Sequence, residues 1–273
     1  MTGVGVTIVV GFVSGVLSGA FGIGGGLVTT PAIRLLLGYP ALIAVGTPLP
    51  VILPGALTGA WAHLRRGAAD LQAGVILGLA GCVTSVMGAY LSKFAGGTVV
   101  MLATAAVIAW AAVDMLLQQR RTTRDPVPAP GAEEADPDVA LQVASAPGAS
   151  RTWRRLAIVG LVAGLYSGFL GLGGGFVVVP GLMRYCGFTV KQAIGTSLVT
   201  VAILAVPGTL VHSLLGHVDW RLALLLAIGV VPGAWLGAHA ATRASDRAVA
   251  ISFAALLAVT GIWLAVSEIV GLR

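Results

Sequence analysis

A glycine-rich sequence occurs twice in this chain, as SGAFGIGGGLVTTP at residues 18–31 and as SGFLGLGGGFVVVP at residues 167–180. Each copy has four glycines within five residues, and every Gly costs a helix about 1 kcal/mol relative to Ala. We therefore predict that a helix breaks at both copies and that a new helix begins directly after each. The first N–H groups of a helix have no intrahelical partner and carry the positive end of its dipole. Because glycine lets these donors approach a ligand closely, the pattern favours binding of an anion by backbone amides.

Hydroxyl side chains near the glycines complete the predicted anion site. Ser18 and Ser167 stand at one side of each break. A second interruption follows in each half, where AVGTPLPVILPG and AIGTSLVTVAILAVPG carry further hydroxyls and prolines that remove helical hydrogen bonds. Such Ser and Thr side chains also bond back to their own helix, which is the alternative role. The candidate substrate-binding residues are Ser18, Gly22, Gly24, Gly25, Gly26, Thr47, Ser167, Gly171, Gly173, Gly174, Gly175, Thr196 and Ser197.

The glycines also have a structural interpretation. Small residues spaced four apart, such as Gly11, Gly15 and Gly19, are the common pattern of close contact between membrane helices, and we assign these upstream glycines to packing. The denser Gly-x-Gly-Gly-Gly cluster is assigned to a substrate-facing break. A nucleotide-binding loop is not expected, since neither copy ends in Gly-Lys-Ser/Thr or lies in a strand–turn–helix pattern.

The composition is that of a polytopic membrane protein. Of the 273 residues, 57% are hydrophobic and only 10% are charged, and the mean hydropathy is +0.98. Soluble domains carry about 25% charged residues, whereas several stretches here lack charge over the roughly 20 residues needed to cross a bilayer. The net charge of +6 comes from basic residues at the edges of apolar segments, which indicates a lipid bilayer and not nucleic acid as the partner. Cys82 and Cys186 lie in apolar surroundings, which is typical of packing residues and not of a disulfide or metal pair.

The chain is an internal duplication. Gly11 matches Gly160, and the same offset relates most of the first set of apolar segments to the second. We divide the chain into a first transmembrane repeat at 1–117, a hydrophilic linker at 118–153 and a second transmembrane repeat at 154–273. The linker is rich in Pro, Ala and charge, so we predict that it is flexible and, from its arginines, cytoplasmic. Duplicated halves are a common plan in secondary transporters.

The expected fold is all-α, with two pseudo-symmetric repeats that each contain a Gly-rich broken helix or re-entrant hairpin followed by three transmembrane helices. If the broken helix crosses the membrane once, the repeats are parallel; if it enters and leaves on one face, they are inverted. With the linker inside, the inverted arrangement leaves only Arg34, Lys93, Arg221 and Arg273 of the 16 basic residues outside. This division obeys the positive-inside rule better, so we favour inverted repeats.

Two histidines related by the repeat, His63 and His212, lie toward the ends of their apolar segments. A histidine there titrates near neutral pH and is a candidate for coupling proton movement to transport, although capping a helix is the commoner role. Asp70 and Asp219 are predicted to cap the helices that follow them. Since no carboxylate is placed at mid-membrane, a relay of buried acids is not expected.

At the doubled SGxxGxGGGxxxxP motif the chain resembles the TauE/SafE family of membrane permeases, also called the sulfite exporter family. The resemblance covers nearly the whole chain, and the family's glycine-rich motifs map onto Ser18 to Gly26 and Ser167 to Gly175. It implies transport of a small sulfur-containing anion, such as sulfite or an organosulfonate, across the bacterial inner membrane. Pro48 stands where the second half has Ser197, so the two half-sites differ in chemistry.

The sequence therefore predicts a secondary transporter that binds a small anion where the two breaks converge and that works by rocking of one bundle against another. A passive anion channel is the first alternative, and it would show no counterflow exchange. A membrane-embedded enzyme is the second, but the sequence has no His-rich box, spaced Cys-His pair or central carboxylate to serve as its reactive group. No cofactor or metal is expected, and a homo-oligomer is left open.

Overall fold

The computed structural model describes residues 2–95, 97–124 and 149–271, and within these ranges the chain is helical, with no strand. This confirms the all-α expectation. The middle of the predicted linker, residues 125–148, lies outside the described ranges, and helices on both sides extend into its predicted ends. In chain order the helices are α1 Thr2–Phe21, α2 Gly26–Pro31 continued by a π-helical turn at Ala32–Leu36, α3 Ala41–Gly46, α4 Pro48–Leu64, α5 Leu71–Ala95, α6 Gly97–Arg124, α7 Ala149–Leu170, α8 Gly175–Cys186, α9 Val190–Leu214, α10 Trp220–Arg243 and α11 Asp246–Gly271.

Among the described residues, six helical segments are long and apolar enough to cross a membrane, which confirms the expectation of a polytopic membrane protein. The two helices that follow the glycine motifs are different, because Gly26–Leu36 and Gly175–Cys186 are shorter than the roughly 20 residues that a span requires. The spanning segments are Gly3–Phe21, Ala41–Leu64 (α3 and α4 together), Leu71–Ala95, Val190–Leu214, Trp220–Arg243 and Asp246–Trp263.

Glycines bring α1 and α10 into backbone contact. A Cβ built on Gly11 would lie only 3.0 Å from Leu226 Cα, and one built on Gly15 would lie 2.8 Å from Val230 Cα. Gly19 continues this row one turn further on. The contacts confirm that these upstream glycines serve helix packing, and their order shows that α1 and α10 run parallel.

The same arrangement occurs between α7 and α5. A Cβ built on Gly160 would lie 2.9 Å from Leu77 Cα, and one built on Gly164 would lie 2.6 Å from Gly81 Cα. These two helices also run parallel. Since α1 and α5 belong to the first half of the chain and α7 and α10 to the second, the opening helix of each half packs on a helix of the other half.

The order of contacts between the remaining helices gives their relative directions. α5 and α9 run parallel, α4 and α10 run parallel, and α4 and α9 run antiparallel. For α5 and α9 the contacts are Gly74–Val199 and Gly78–Ile203. For α4 and α10 they are Gly55–Val230 and Thr47–Asp219, and for α4 and α9 they are Leu49–Gly208 and Gly59–Leu198. The helices therefore form two sets of opposite direction, α1, α4 and α10 in one and α5, α7 and α9 in the other. The opening helices of the two halves point in opposite directions.

We predict that Gly15→Leu destabilises the fold by roughly 3 kcal/mol or more, because the added side chain has to push α10 away from α1. Gly5→Leu is the matched control, since a Cβ on Gly5 meets no atom within 4 Å. Thermal unfolding in detergent, monitored by size-exclusion chromatography, gives the unfolding midpoint of each variant. Equal midpoints for Gly15→Leu and the control would contradict the packing described here.

Candidate functional site

Both glycine motifs interrupt a helix, as the sequence predicts. α1 ends at Phe21 and α2 begins at Gly26, while α7 ends at Leu170 and α8 begins at Gly175. We call residues 22–25 the first glycine turn and residues 171–174 the second glycine turn. In each turn the first, third and fourth residues have φ between +67° and +85°, a left-handed conformation that glycine adopts without strain.

The two glycine turns touch each other. A Cβ built on Gly26 would lie 2.7 Å from Leu172 Cα, and one built on Gly175 would lie 2.8 Å from Ile23 Cα. All the residues of both turns are buried. The structure thus brings the glycines of the two predicted half-sites into one place, at the starts of two helices from different halves of the chain.

Two carbonyl groups beside the turns accept hydrogen bonds from histidines. His63 Nε2 lies 3.2 Å from the Gly19 oxygen, and His212 Nε2 lies 2.9 Å from the Gly168 oxygen. Because a carbonyl can only accept, each Nε2 carries a proton and donates it. Both histidines are completely buried, and each holds the last turn of the helix that runs into a break.

The Ser197 hydroxyl donates to the Gly22 carbonyl oxygen at 2.7 Å and is also 2.8 Å from the Ile194 oxygen. Ser197 therefore contacts the first glycine turn, as predicted, but its one proton is already directed at carbonyls. The second half-site lacks this contact, because Pro48 stands at the equivalent position and has no hydroxyl.

The amides of the turns, in contrast, are left open. Gly22 N–H bonds back to the Ser18 oxygen and Gly171 N–H to the Ser167 oxygen, and intrahelical bonding resumes at Val28 and Val177. Between these points, the amides of 23–27 and 172–176 have no acceptor among the described residues. Each run lies at the positive end of a helix dipole, so it favours a ligand that carries negative charge.

Ser18 and Ser167 lie beside these open amides. Ser18 Cβ is 3.5 Å from a Cβ built on Gly25, and Ser167 Cβ is 3.3 Å from one built on Gly174. Both hydroxyls are buried and have no hydrogen-bond partner in the described part of the chain. A buried hydroxyl without a partner costs about 1–3 kcal/mol, so these two side chains fit a ligand that accepts hydrogen bonds.

The helices on either side of the first glycine turn contain two further hydroxyls that the sequence analysis missed. Ser14 and Thr30 are buried, and their hydroxyls have no partner among the described residues. At the repeat-related positions the second half has Ala163 and Val179. Ser14 lies one helical turn before Ser18 on the same face of α1, so the helical period was the signal that would have indicated it.

Thr47 and Thr196 hold the two halves together. Asp219 N–H donates to Thr47 Oγ1 at 3.0 Å, and Asp70 N–H donates to Thr196 Oγ1 at 2.9 Å. The two aspartates in turn cap their helices, with Oδ1 accepting from Leu222 N–H and Ala73 N–H, which confirms the predicted capping role. The threonine oxygens thus fix the starts of α10 and α5 instead of pointing to the glycine turns as free groups.

His217 adds a second imidazole to the second half-site. Its Nδ1 lies 3.2 Å from His212 Nδ1, and since His212 carries its proton on Nε2, His217 is the donor. His217 lies between α9 and α10, where burial and the positive charge of Lys93 lower the pKa of its imidazole. The first half has Ala68 at the equivalent position, and His63 Nδ1 has no partner among the described residues.

Every residue of the two glycine turns is buried in this structure. Cavities of about 170–520 Å³ occur elsewhere in the described part of the chain, and the residues that line them lie outside the two glycine turns. Within the described ranges, no group of three or more His, Cys, Asp or Glu side chains is placed to hold a metal ion. Cys82 and Cys186 are both free.

Comparison with known proteins assigns the chain. The family model described as sulfite exporter TauE/SafE matches residues 7–264. The chain belongs to the TauE/SafE family. Members of this family are membrane transporters, so the chain is a multi-pass membrane transporter and not an enzyme.

Curated relatives of this TauE/SafE protein carry transporter names. The chain is 28% identical to "Probable membrane transporter protein YunE" of Bacillus subtilis (strain 168), over 85% of each chain. It is 29% identical to a "Probable membrane transporter protein" of Xylella fastidiosa (strain 9a5c), over 86% of this chain and 82% of the relative. "Probable membrane transporter protein MJ0441" of Methanocaldococcus jannaschii is 22% identical over 94% of this chain and 93% of its own length. No solved structure matches the chain significantly.

We predict that Thr47→Val and Thr196→Val each destabilise the protein by about 1–3 kcal/mol, because the amide of the capping aspartate loses its acceptor. Thr209→Val is the matched control, since the Thr209 hydroxyl is buried without a partner in the described ranges and its loss removes no bond. Thermal unfolding of the purified variants in detergent gives the comparison. Equal unfolding temperatures for all three variants would show that the two threonine–aspartate contacts do not stabilise the protein.

Proposed function

We propose that this transporter moves a small sulfur-containing anion, such as sulfite or an organosulfonate, and binds it at the two glycine turns. The proposal rests on the difference between the backbone carbonyls and the backbone amides at the glycine turns. Carbonyls beside the turns accept hydrogen bonds from His63, His212 and Ser197. The amides and the Ser18 and Ser167 hydroxyls, in contrast, have no acceptor among the described residues. Such a surface is short of acceptors, and an oxyanion supplies them.

The charge of the anion is balanced in this proposal by dipoles and not by a cationic side chain. The side chains nearest to the turns are uncharged and include Ser18, Ile52, Ser167 and Val201. A buried Lys or Arg would carry a large desolvation cost inside a membrane. Two helix starts of about half a positive charge each avoid this cost, and glycine leaves their amides accessible.

In this proposal the predicted site residues have two kinds of role. The glycines of the two turns, with Gly26, Gly175, Ser18 and Ser167, donate hydrogen bonds to the anion. Ser197 positions the first glycine turn, whereas Thr47 and Thr196 position the starts of α10 and α5, since all three are engaged in cross-half contacts. His63 and His212 are the candidates for proton coupling, because each connects the helix before a break to the end of α4 or α9.

We further propose that the two halves are inverted repeats in a bacterial inner membrane, with the linker at 118–153 on the cytoplasmic side. The opposite directions of α1 and α7 support this, as do the short helices α2 and α8, which suit re-entrant hairpins entering from opposite faces. The closed packing around the turns favours a carrier that alternates between states over a passive channel.

We predict that Ser18→Ala and Ser167→Ala each weaken the apparent affinity for the transported anion by about tenfold, the loss expected for one hydrogen bond to a charged group. Neither change should lower thermal stability, because each removes a buried hydroxyl that has no partner within the described ranges. Ser92→Ala is the control, as Ser92 is buried and donates to Ala89 of its own helix.

Uptake into proteoliposomes measures these affinities against sulfite, thiosulfate, sulfoacetate, sulfate and an uncharged organosulfur compound. Saturable uptake and counterflow of at least one of the anions is the expected result for the unaltered protein. Transport of the neutral compound alone would contradict the proposal, as would unchanged affinity in both serine variants.

A further inference from the structure

Two aliphatic side chains pack against both glycine turns. Ile52 on α4 and Val201 on α9 occupy equivalent positions in the two halves of the chain. A Cβ built on Gly24 would lie 2.5 Å from Val201 Cγ1 and 3.0 Å from Ile52 Cγ2. A Cβ built on Gly173 would lie 3.0 Å from Val201 Cγ1 and 3.1 Å from Ile52 Cδ1. Each side chain therefore contacts both turns.

Ile52 and Val201 belong to the apolar contact between α4 and α9. Both are almost completely buried, with 1% and 0% of their surfaces exposed, and they pack with Leu49, Leu198 and neighbouring residues of the two antiparallel helices. This contact is a separate cluster from the main core, which includes Ile23 and Leu172 of the turns. The two helices thus form an apolar layer against the third residue of each glycine turn.

An anion that approaches Gly24 or Gly173 from the side of α4 and α9 meets these two side chains first. Residues 24 and 173 are glycines with positive φ and have no side chain of their own. The Ile52 and Val201 side chains fill the space beside each Cα. Aliphatic constrictions of this kind exclude water and ions until they separate. α4 contains Pro54 and α9 contains Pro207 within their helices, and a proline removes a backbone hydrogen bond at which a helix bends.

We propose that Ile52 and Val201 form a hydrophobic gate over the anion site and that their combined size limits the anions that enter. This inference rests on the proposed anion site and adds the residues that control access to it. One residue comes from each half, and both touch both turns, so a separation of α4 from α9 uncovers the two half-sites together.

The transport test uses Ile52→Ala, Val201→Ala and the double variant in proteoliposomes. We expect about tenfold faster uptake of a bulky arylsulfonate relative to sulfite in the double variant, because the opening is wider. Val199→Ala is the matched control, since Val199 is buried on the same helix but packs against Gly74 of α5. An unchanged ratio of the two substrates in the double variant, or an equal change in the control, would overturn the gate.

A second measurement does not depend on transport. Hydrogen–deuterium exchange of the amides in 22–27 and 171–176 should accelerate about tenfold in Ile52→Ala and Val201→Ala, and stay unchanged in Val199→Ala. If no substrate is transported by the unaltered protein yet exchange accelerates in this pattern, the gate stands and the proposed substrate is wrong. Equal exchange in all three variants overturns the gate whatever the substrate is.

Discussion

The structure depends on the requirement that backbone groups removed from water find hydrogen-bond partners. Two helices stop in the buried interior, and the glycines that stop them turn their backbone into a conformation other residues rarely adopt. The protein then supplies donors to the neighbouring carbonyls through two histidines and a serine that come from distant parts of the sequence. It supplies no acceptor from the described residues to the amides. This imbalance is the basis of the proposal that the site binds an anion.

The halves of the chain depend on each other at the same place. Each opening helix packs on a helix of the other half through a row of glycines, and each capping aspartate donates its amide to a threonine of the other half. The glycine turns also contact each other directly. Close backbone contacts between the halves would transmit a rearrangement of one half-site to the other, which fits the proposed carrier whose two bundles move as rigid bodies.

Sequence reasoning predicted the features that local composition decides. The glycine clusters indicated the breaks, the spacing of Gly11 and Gly15 indicated packing, and the positions of Asp70 and Asp219 indicated capping. Other features depend on which helices cross, and the repeat offset does not contain that information. It pairs Ile52 with Val201 but does not show that both meet the same glycines. For the same reason Thr47 and Thr196 were expected near the breaks as free donors, whereas the structure shows them as acceptors for the aspartate amides.

The claim that backbone amides bind the anion is tested most directly by NMR of protein labelled with ¹⁵N at glycine and held in a lipid nanodisc. Titration with sulfite should shift the amide resonances of Gly24, Gly25, Gly173 and Gly174 saturably, at the concentrations that saturate transport. Saturable transport with these four resonances unmoved, or with shifts confined to other glycines, would contradict the account.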